Sequence, residues 1–105
     1  MTVVTPVPAA PLDPAAEQVM VPMRDGVRLA TDVYLPAAPR AGGRRPAVLV
    51  RLPYDKTGRY TFMPLLAPFV TERGYAFVVQ DVRGKFRSEG ETVPFVHEVE
   101  DGYDT

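Results

Sequence analysis

Apolar and polar positions first alternate and then cluster along this chain, and each change of rhythm marks an element. Gln18-Val19-Met20-Val21-Pro22-Met23 and Val27-Arg28-Leu29-Ala30-Thr31-Asp32-Val33-Tyr34-Leu35 are two strand-like runs flanking Arg24-Asp25-Gly26. Asp-Gly between apolar runs predicts a tight hairpin, because glycine supplies the positive φ that such a turn requires. In the second run Val27, Leu29, Val33 and Leu35 alternate with Arg28, Asp32 and Tyr34. That period of two predicts a strand with one buried face.

The later runs do not alternate. Ala47-Val48-Leu49-Val50 is apolar throughout, the pattern of a parallel strand covered on both faces. Tyr75-Ala76-Phe77-Val78-Val79 has the same character and runs into Gln80-Asp81. Between them Leu65, Leu66, Phe69 and Val70 follow helical spacing, with Gly74 where a C-cap belongs. Pro68 fits only in a helix's first turn, so a short helix starting near Ala67 is predicted. Buried strand, helix and buried strand make a βαβ unit with a right-handed crossover. Val82 to Val96 is a polar loop, and Glu98 to Thr105 has the acidic start of a second helix, where carboxylates suit the dipole. Pro36 to Pro46 lacks periodicity and is expected to be a loop. Pro6, Pro8, Pro11 and Pro14 preclude a helix at the start. Residues 1–16 are therefore expected to be a flexible leader, with order beginning near Glu17.

Composition narrows the function classes. A chain of 105 residues holds one small domain. A net charge of −1 gives no electrostatic case for nucleic acid or an anionic membrane as partner. The absence of cysteine excludes disulfides, thiolate catalysis and Cys-ligated zinc, and suits the reducing cytoplasm where the chain is expected. The first residues lack the basic and apolar regions of a signal peptide. No run approaches the roughly 20 apolar residues of a membrane-spanning helix.

Serine hydrolysis needs a nucleophile, a histidine base and an orienting acid. The one serine, Ser88, stands in Arg87-Ser88-Glu89-Gly90 with no strand leading into it, and is expected to bond within its loop. The one histidine, His97, is expected to pack or cap ahead of the acidic helix. Glu89, Glu91, Glu98, Glu100, Asp101 and Asp104 lack EF-hand spacing, and a solvated helix face explains them better than a metal site. Gly84-Lys85 is no phosphate loop, since Val79 stands where its first glycine belongs. Leu52-Pro53-Tyr54-Asp55-Lys56 is more informative. It follows the first buried strand, at the carboxyl end where α/β sheets place their ligands. On position alone, Tyr54 either donates a neutral hydrogen bond to a developing oxyanion or packs its ring over the sheet edge.

Val21-Pro22-Met23-Arg24-Asp25-Gly26-Val27-Arg28-Leu29-Ala30, Arg51-Leu52-Pro53-Tyr54-Asp55-Lys56, Gly74-Tyr75, Gln80-Asp81-Val82-Arg83-Gly84 and Ser88-Glu89-Gly90 stand in an informative order. Together they resemble the CocE/NonD hydrolases, the group that includes X-Pro dipeptidyl-peptidases, cocaine esterase, glutaryl acylases and α-amino-acid ester hydrolases. The resemblance runs from about Glu17 to Thr105. It implies the N-terminal part of an α/β-hydrolase fold: a β-hairpin, then βαβ of a mostly parallel sheet, truncated before the nucleophile elbow. Residues 17–105 are accordingly expected to be a partial catalytic domain. A helical cap and a jelly-roll-like domain follow in the family.

The resemblance also implies a Ser-His-Asp triad cleaving esters or amides through an acyl-enzyme, with all three residues beyond Thr105. The chain by itself is then expected to be inactive. The family's oxyanion tyrosine falls on Tyr54, whose strand-to-helix loop contributes an oxyanion donor in this fold. The implied partner is a small ester, an amide or a short peptide, with no nucleic acid and no membrane, and a homo-oligomer is left open. No cofactor is implied, since a triad needs none. The family's strand order, 1-2-4-3-5, makes Ala47 to Val50 central. It also ends adjacent parallel strands at Arg51 and Asp81, which are expected to pair and support the tyrosine loop. The competing reading is a small non-enzymatic α/β module that binds a partner through an exposed sheet edge.

Overall fold

A computed structural model describes residues 9–37, 45–93 and 95–105. Residues 1–8 of the expected leader, and most of the expected 36–46 loop, lie outside them. The elements are β1 (Glu17–Pro22), β2 (Arg28–Tyr34), β3 (Ala47–Leu52), α1 (Met63–Thr71), β4 (Ala76–Asp81) and α2 (Glu98–Asp104). The strands form one mixed sheet in the order β1-β2-β4-β3. β1–β2 and β2–β4 are antiparallel, and β3–β4 is the parallel pair around α1. Gly26, at φ 86, closes the predicted hairpin, and Met23 N–H donates to the Val27 carbonyl at 2.8 Å.

β2 departs from its expected one-sided pattern. Asp32 and Tyr34, placed on its polar side by the alternation, are buried, and so are Leu29, Ala30 and Thr31. The core lies on the Tyr34 side, where Tyr34, Leu52, Ala67, Phe77 and Val79 pack together. Tyr34 meets Phe77 with ring centroids 6.0 Å apart. Two polar tips are accommodated there because each has a partner: the Tyr34 hydroxyl donates to Asp13 at 2.8 Å, and Asp32 meets a lysine described below. β2 is flanked by a strand on both sides and covered on both faces.

β3 departs the other way. Its apolar run predicts cover on both faces, yet Val48 and Leu49 are 38% and 44% exposed. Among the described residues β3 is an edge strand, paired only with β4. Helix α1 begins earlier than the proline argument suggested. Pro64 takes the first-turn place, and Pro68 falls inside the helix, where it lacks the N–H that would reach the Pro64 carbonyl. Ala67 is buried against the sheet while Leu65, Leu66 and Phe69 face outward. Gly74, at φ 85, lies in the turn between α1 and β4.

Candidate active site

The carboxyl ends of β3 and β4 point the same way and carry the two loops that build the site. Tyr54 is 71% exposed, yet Asp55, Lys56 and Thr57 directly after it are buried. The chain turns inward at Asp55, whose φ of 74 is left-handed, a conformation costing a non-glycine residue on the order of 1–3 kcal/mol. Several bonds hold it. Asp55 Oδ1 accepts from the Thr57 N–H and hydroxyl at 3.2 and 3.1 Å. Oδ2 accepts from the Ala10 N–H at 2.8 Å, and the Asp55 carbonyl accepts from Gly58 at 3.0 Å.

Lys56 plugs the loop into the sheet. Its ammonium lies 2.8 Å from Asp32 Oδ1, with side-chain exposures of 0% and 2% for the two partners. It also donates to Gln18 Oε1 at 2.8 Å, and its backbone N–H donates to Asp81 Oδ1 at 2.8 Å. The loop after β3 is thereby fastened to β1, β2 and β4. Burial pushes the Asp32 carboxyl above its ordinary range, with the Lys56 hydrogen bond and charge pulling the other way. Burial likewise raises Asp81, against the pull of the N–H groups of Lys56 and Arg87. The alternation of β2 concealed this lysine–aspartate pair. The available signal was Asp32 inside an otherwise strand-forming run, with a lysine two residues after Tyr54.

Beside Tyr54 an open cleft of about 540 Å³ is lined by Val50, Leu52, Pro53, Tyr60, Met63 and Phe86 among others. Its walls are mainly apolar, and its volume suits a small organic group.

Arg51 and Asp81 do not form the expected pair. The parallel register sets Arg51 opposite Gln80 and Leu52 opposite Asp81. Successive strand residues face opposite ways, so Arg51 and Asp81 point to different sides of the sheet. Arg51 donates to Gln80 Oε1 at 2.7 Å and to Glu98 Oε2 at 2.9 Å. Asp81 stays with the tyrosine loop. The Ser88 hydroxyl bonds within the framework, donating to the Asp81 carbonyl and accepting from Ala30 N–H at 2.8 Å. His97 precedes α2 without a side-chain capping bond and lines a smaller, 290 Å³ cavity with Arg51, Val82 and Phe95.

Of the acidic residues, Glu89, Glu91 and Glu100 are exposed as the sequence suggested, whereas Asp101 and Asp104 are less solvated. Arg83 forks onto Asp101 at 2.9 and 2.8 Å and reaches Asp25 at 2.7 Å. Arg24 forks onto Asp104 at 2.8 and 2.9 Å, and Arg28 meets Glu89 at 2.8 Å. Asp101 is therefore buried and paired, contrary to its expected place on a wet helix face. These guanidiniums hold Asp25, Glu89 and Asp104 below the ordinary carboxylate range. Together they clamp the hairpin to α2 and to the loop after β4. Among the described residues no group of three or more His, Cys, Asp or Glu is placed to hold a metal ion. No helix among them is long and apolar enough to cross a membrane.

The sequence model of a family described as "X-Pro dipeptidyl-peptidase (S15 family)" matches residues 25–105. The cocaine esterase of Rhodococcus sp. (strain MB1 Bresler) is 49% identical over 92 residues, covering 86% of this chain and 16% of that protein. Among solved structures, an α-amino acid ester hydrolase superposes with a TM-score of 0.67 at 36% identity, over 93% of this chain and 19% of that one. An aminopeptidase from a marine sediment Thaumarchaeota archaeon gives 0.68 at 26% identity, over 97% of this chain and 20% of that one. A Pyrococcus furiosus esterase, at 16% identity and a TM-score of 0.67, shares the fold; the match covers 96% of this chain and 40% of that one. The chain thus spans about a fifth or less of the cocaine esterase, the ester hydrolase and the aminopeptidase.

Proposed function

The chain belongs to the X-Pro dipeptidyl-peptidase (S15) family, and from that premise we propose that it forms the first part of a serine hydrolase domain in which Tyr54 donates to the oxyanion. Its substrates are small esters, acyl amides or short peptides, and the nucleophile, base and acid come from residues outside these 105. The observation that carries the reading is an exposed tyrosine on a buried, multiply bonded loop at the carboxyl end of β3. When the serine oxygen bonds to the substrate carbonyl carbon, its proton passes to the histidine and negative charge gathers on the carbonyl oxygen. A phenol can donate to that oxygen without first changing its own protonation state. The apolar cleft beside Tyr54 takes the group attached to that carbonyl. The cysteine-free sequence suits a cytoplasmic enzyme.

The test uses the intact hydrolase that carries this chain. A fluorophosphonate should label it on one serine outside residues 1–105 and abolish turnover of p-nitrophenyl acetate and of an X-Pro p-nitroanilide alike. Labelling that maps to Ser88, or turnover that survives complete labelling, overturns the assignment.

A further inference from the structure

Ala10 precedes β1, in the segment expected to be a free leader, and yet both of its backbone groups are engaged. Its N–H donates to Asp55 Oδ2 at 2.8 Å. Its carbonyl accepts from Arg87 Nη2 at 2.9 Å and from the Thr57 hydroxyl at 3.3 Å. Nearer the strand, Asp13 accepts from the Tyr34 hydroxyl at 2.8 Å and from its own neighbour Ala15 at 2.9 Å. The segment is thus tied at two places before it enters β1. The upper tie lies on the residues that follow Tyr54.

Asp55 is the hinge between the exposed tyrosine and the buried lysine, and its positive φ persists only if the surroundings over-determine it. Thr57 satisfies one oxygen of the Asp55 carboxylate, and Ala10 satisfies the other. An N–H donating to a carboxylate makes a charge-assisted bond, stronger than a neutral one. Without the Ala10 N–H, a buried carboxylate oxygen would lose its described partner and the hinge one of its restraints.

We propose that the Ala10 backbone is a strap that positions Tyr54. The segment ahead of β1 closes over the tyrosine loop, fastened to Asp55 and Thr57 on one side and Arg87 on the other, and so sets the direction of the Tyr54 hydroxyl. This role rests on the oxyanion reading of Tyr54. Ala10 is a positioning residue and touches no substrate.

Two variants of the intact hydrolase cut the strap at different atoms. Ala10→Pro deletes the N–H and keeps the carbonyl, whereas Arg87→Met removes the guanidinium that holds the carbonyl. Each should lower kcat on the order of tenfold with KM within about twofold, the mark of misplaced transition-state contact. Arg87→Lys, which can still donate to the carbonyl, should recover most of that loss. In a Tyr54→Phe background neither cut should cost more than roughly a further twofold, because the group it positions is gone. Equal losses in both backgrounds, or no loss from either cut, overturn the strap. If Ala10→Pro does not fold, Arg87→Met decides by the same criteria. If Tyr54→Phe alone leaves kcat intact, the oxyanion reading fails, and amide exchange judges the strap separately. The Lys56 and Gly58 amides should then exchange roughly tenfold faster in either cut variant while β2 and β4 amides hold their rates. Unchanged Lys56 and Gly58 rates overturn it.

Discussion

Beneath Tyr54 a single ammonium, Lys56, is wholly buried against Asp32 and Gln18. Around the hairpin, the guanidiniums of Arg24 and Arg28 grip carboxylates at or near the surface, and that of Arg83 joins the buried Asp101 to the exposed Asp25. The difference follows from what each side chain can do. A guanidinium presents a fork that engages a carboxylate twice and can remain partly wet, so arginines suit a clamp between the hairpin, α2 and the loop after β4. An ammonium is a compact charge on a flexible stem. Buried, it fixes the loop that carries Tyr54 at one point with little tolerance. Asp32 Oδ2 has no hydrogen-bond partner among the described residues, so the plug is tight but incompletely satisfied, and the clamp is redundant.

The contrast should be largest in stability. Lys56→Met leaves Asp32 buried without its counter-charge, and removing one partner of a buried pair costs about 3–5 kcal/mol. Replacing both partners, Lys56→Met with Asp32→Leu, should restore most of that loss. Arg83→Lys removes a fork but keeps a charge between Asp25 and Asp101, and Arg24 and Arg28 still hold the hairpin, so its effect should be clearly smaller. Thermal unfolding of the intact hydrolase reads all three. An Arg83→Lys loss as large as that of Lys56→Met would erase the distinction.

Acid should separate the two regions by sign. Asp25 and Asp104 titrate below their ordinary 3.8 because of their arginines. Their stabilisation is present above that value and is lost as pH falls through the lowered folded values. Asp32 and Asp81 titrate above 3.8 because of burial. Their contribution is complete below 3.8 and is lost as pH rises through the raised values. Carboxyl-carbon NMR titration should therefore find Asp32 and Asp81 protonating before Asp25 and Asp104 on acidification. The reverse order would contradict the burial argument.

How much of this was legible depended on how local each determinant is. The Arg24-Asp25-Gly26 turn and the apolar run of β4 carry their own signals, and both form where the pattern placed them. The inner face of β2 was not legible. Both of its faces are covered, and the partner of its buried Asp32 is Lys56, which arrives from a different loop. The Arg51–Asp81 pairing failed on register, a property of two strands together that neither strand's sequence states. α1 was misplaced because two prolines competed for its first turn and Pro64 took it. For Tyr54, the end of a strand run and the motif around it were enough to mark the position. The bonds that hold the loop, from Ala10 through Asp81, link residues far apart in sequence and have no local signature.

The smallest expected effect on stability belongs to the substitution that tests the proposed chemistry. Tyr54→Phe keeps an exposed ring and removes one hydroxyl, so stability should stay within about 0.5 kcal/mol. In the intact hydrolase, kcat should nevertheless fall on the order of 10²–10³, about 3–4 kcal/mol, as for other lost oxyanion donors. KM should change little, because the bond strengthens only as charge develops on the carbonyl oxygen. A folded Tyr54→Phe enzyme losing less than roughly threefold in kcat would mean that Tyr54 only packs beside the cleft.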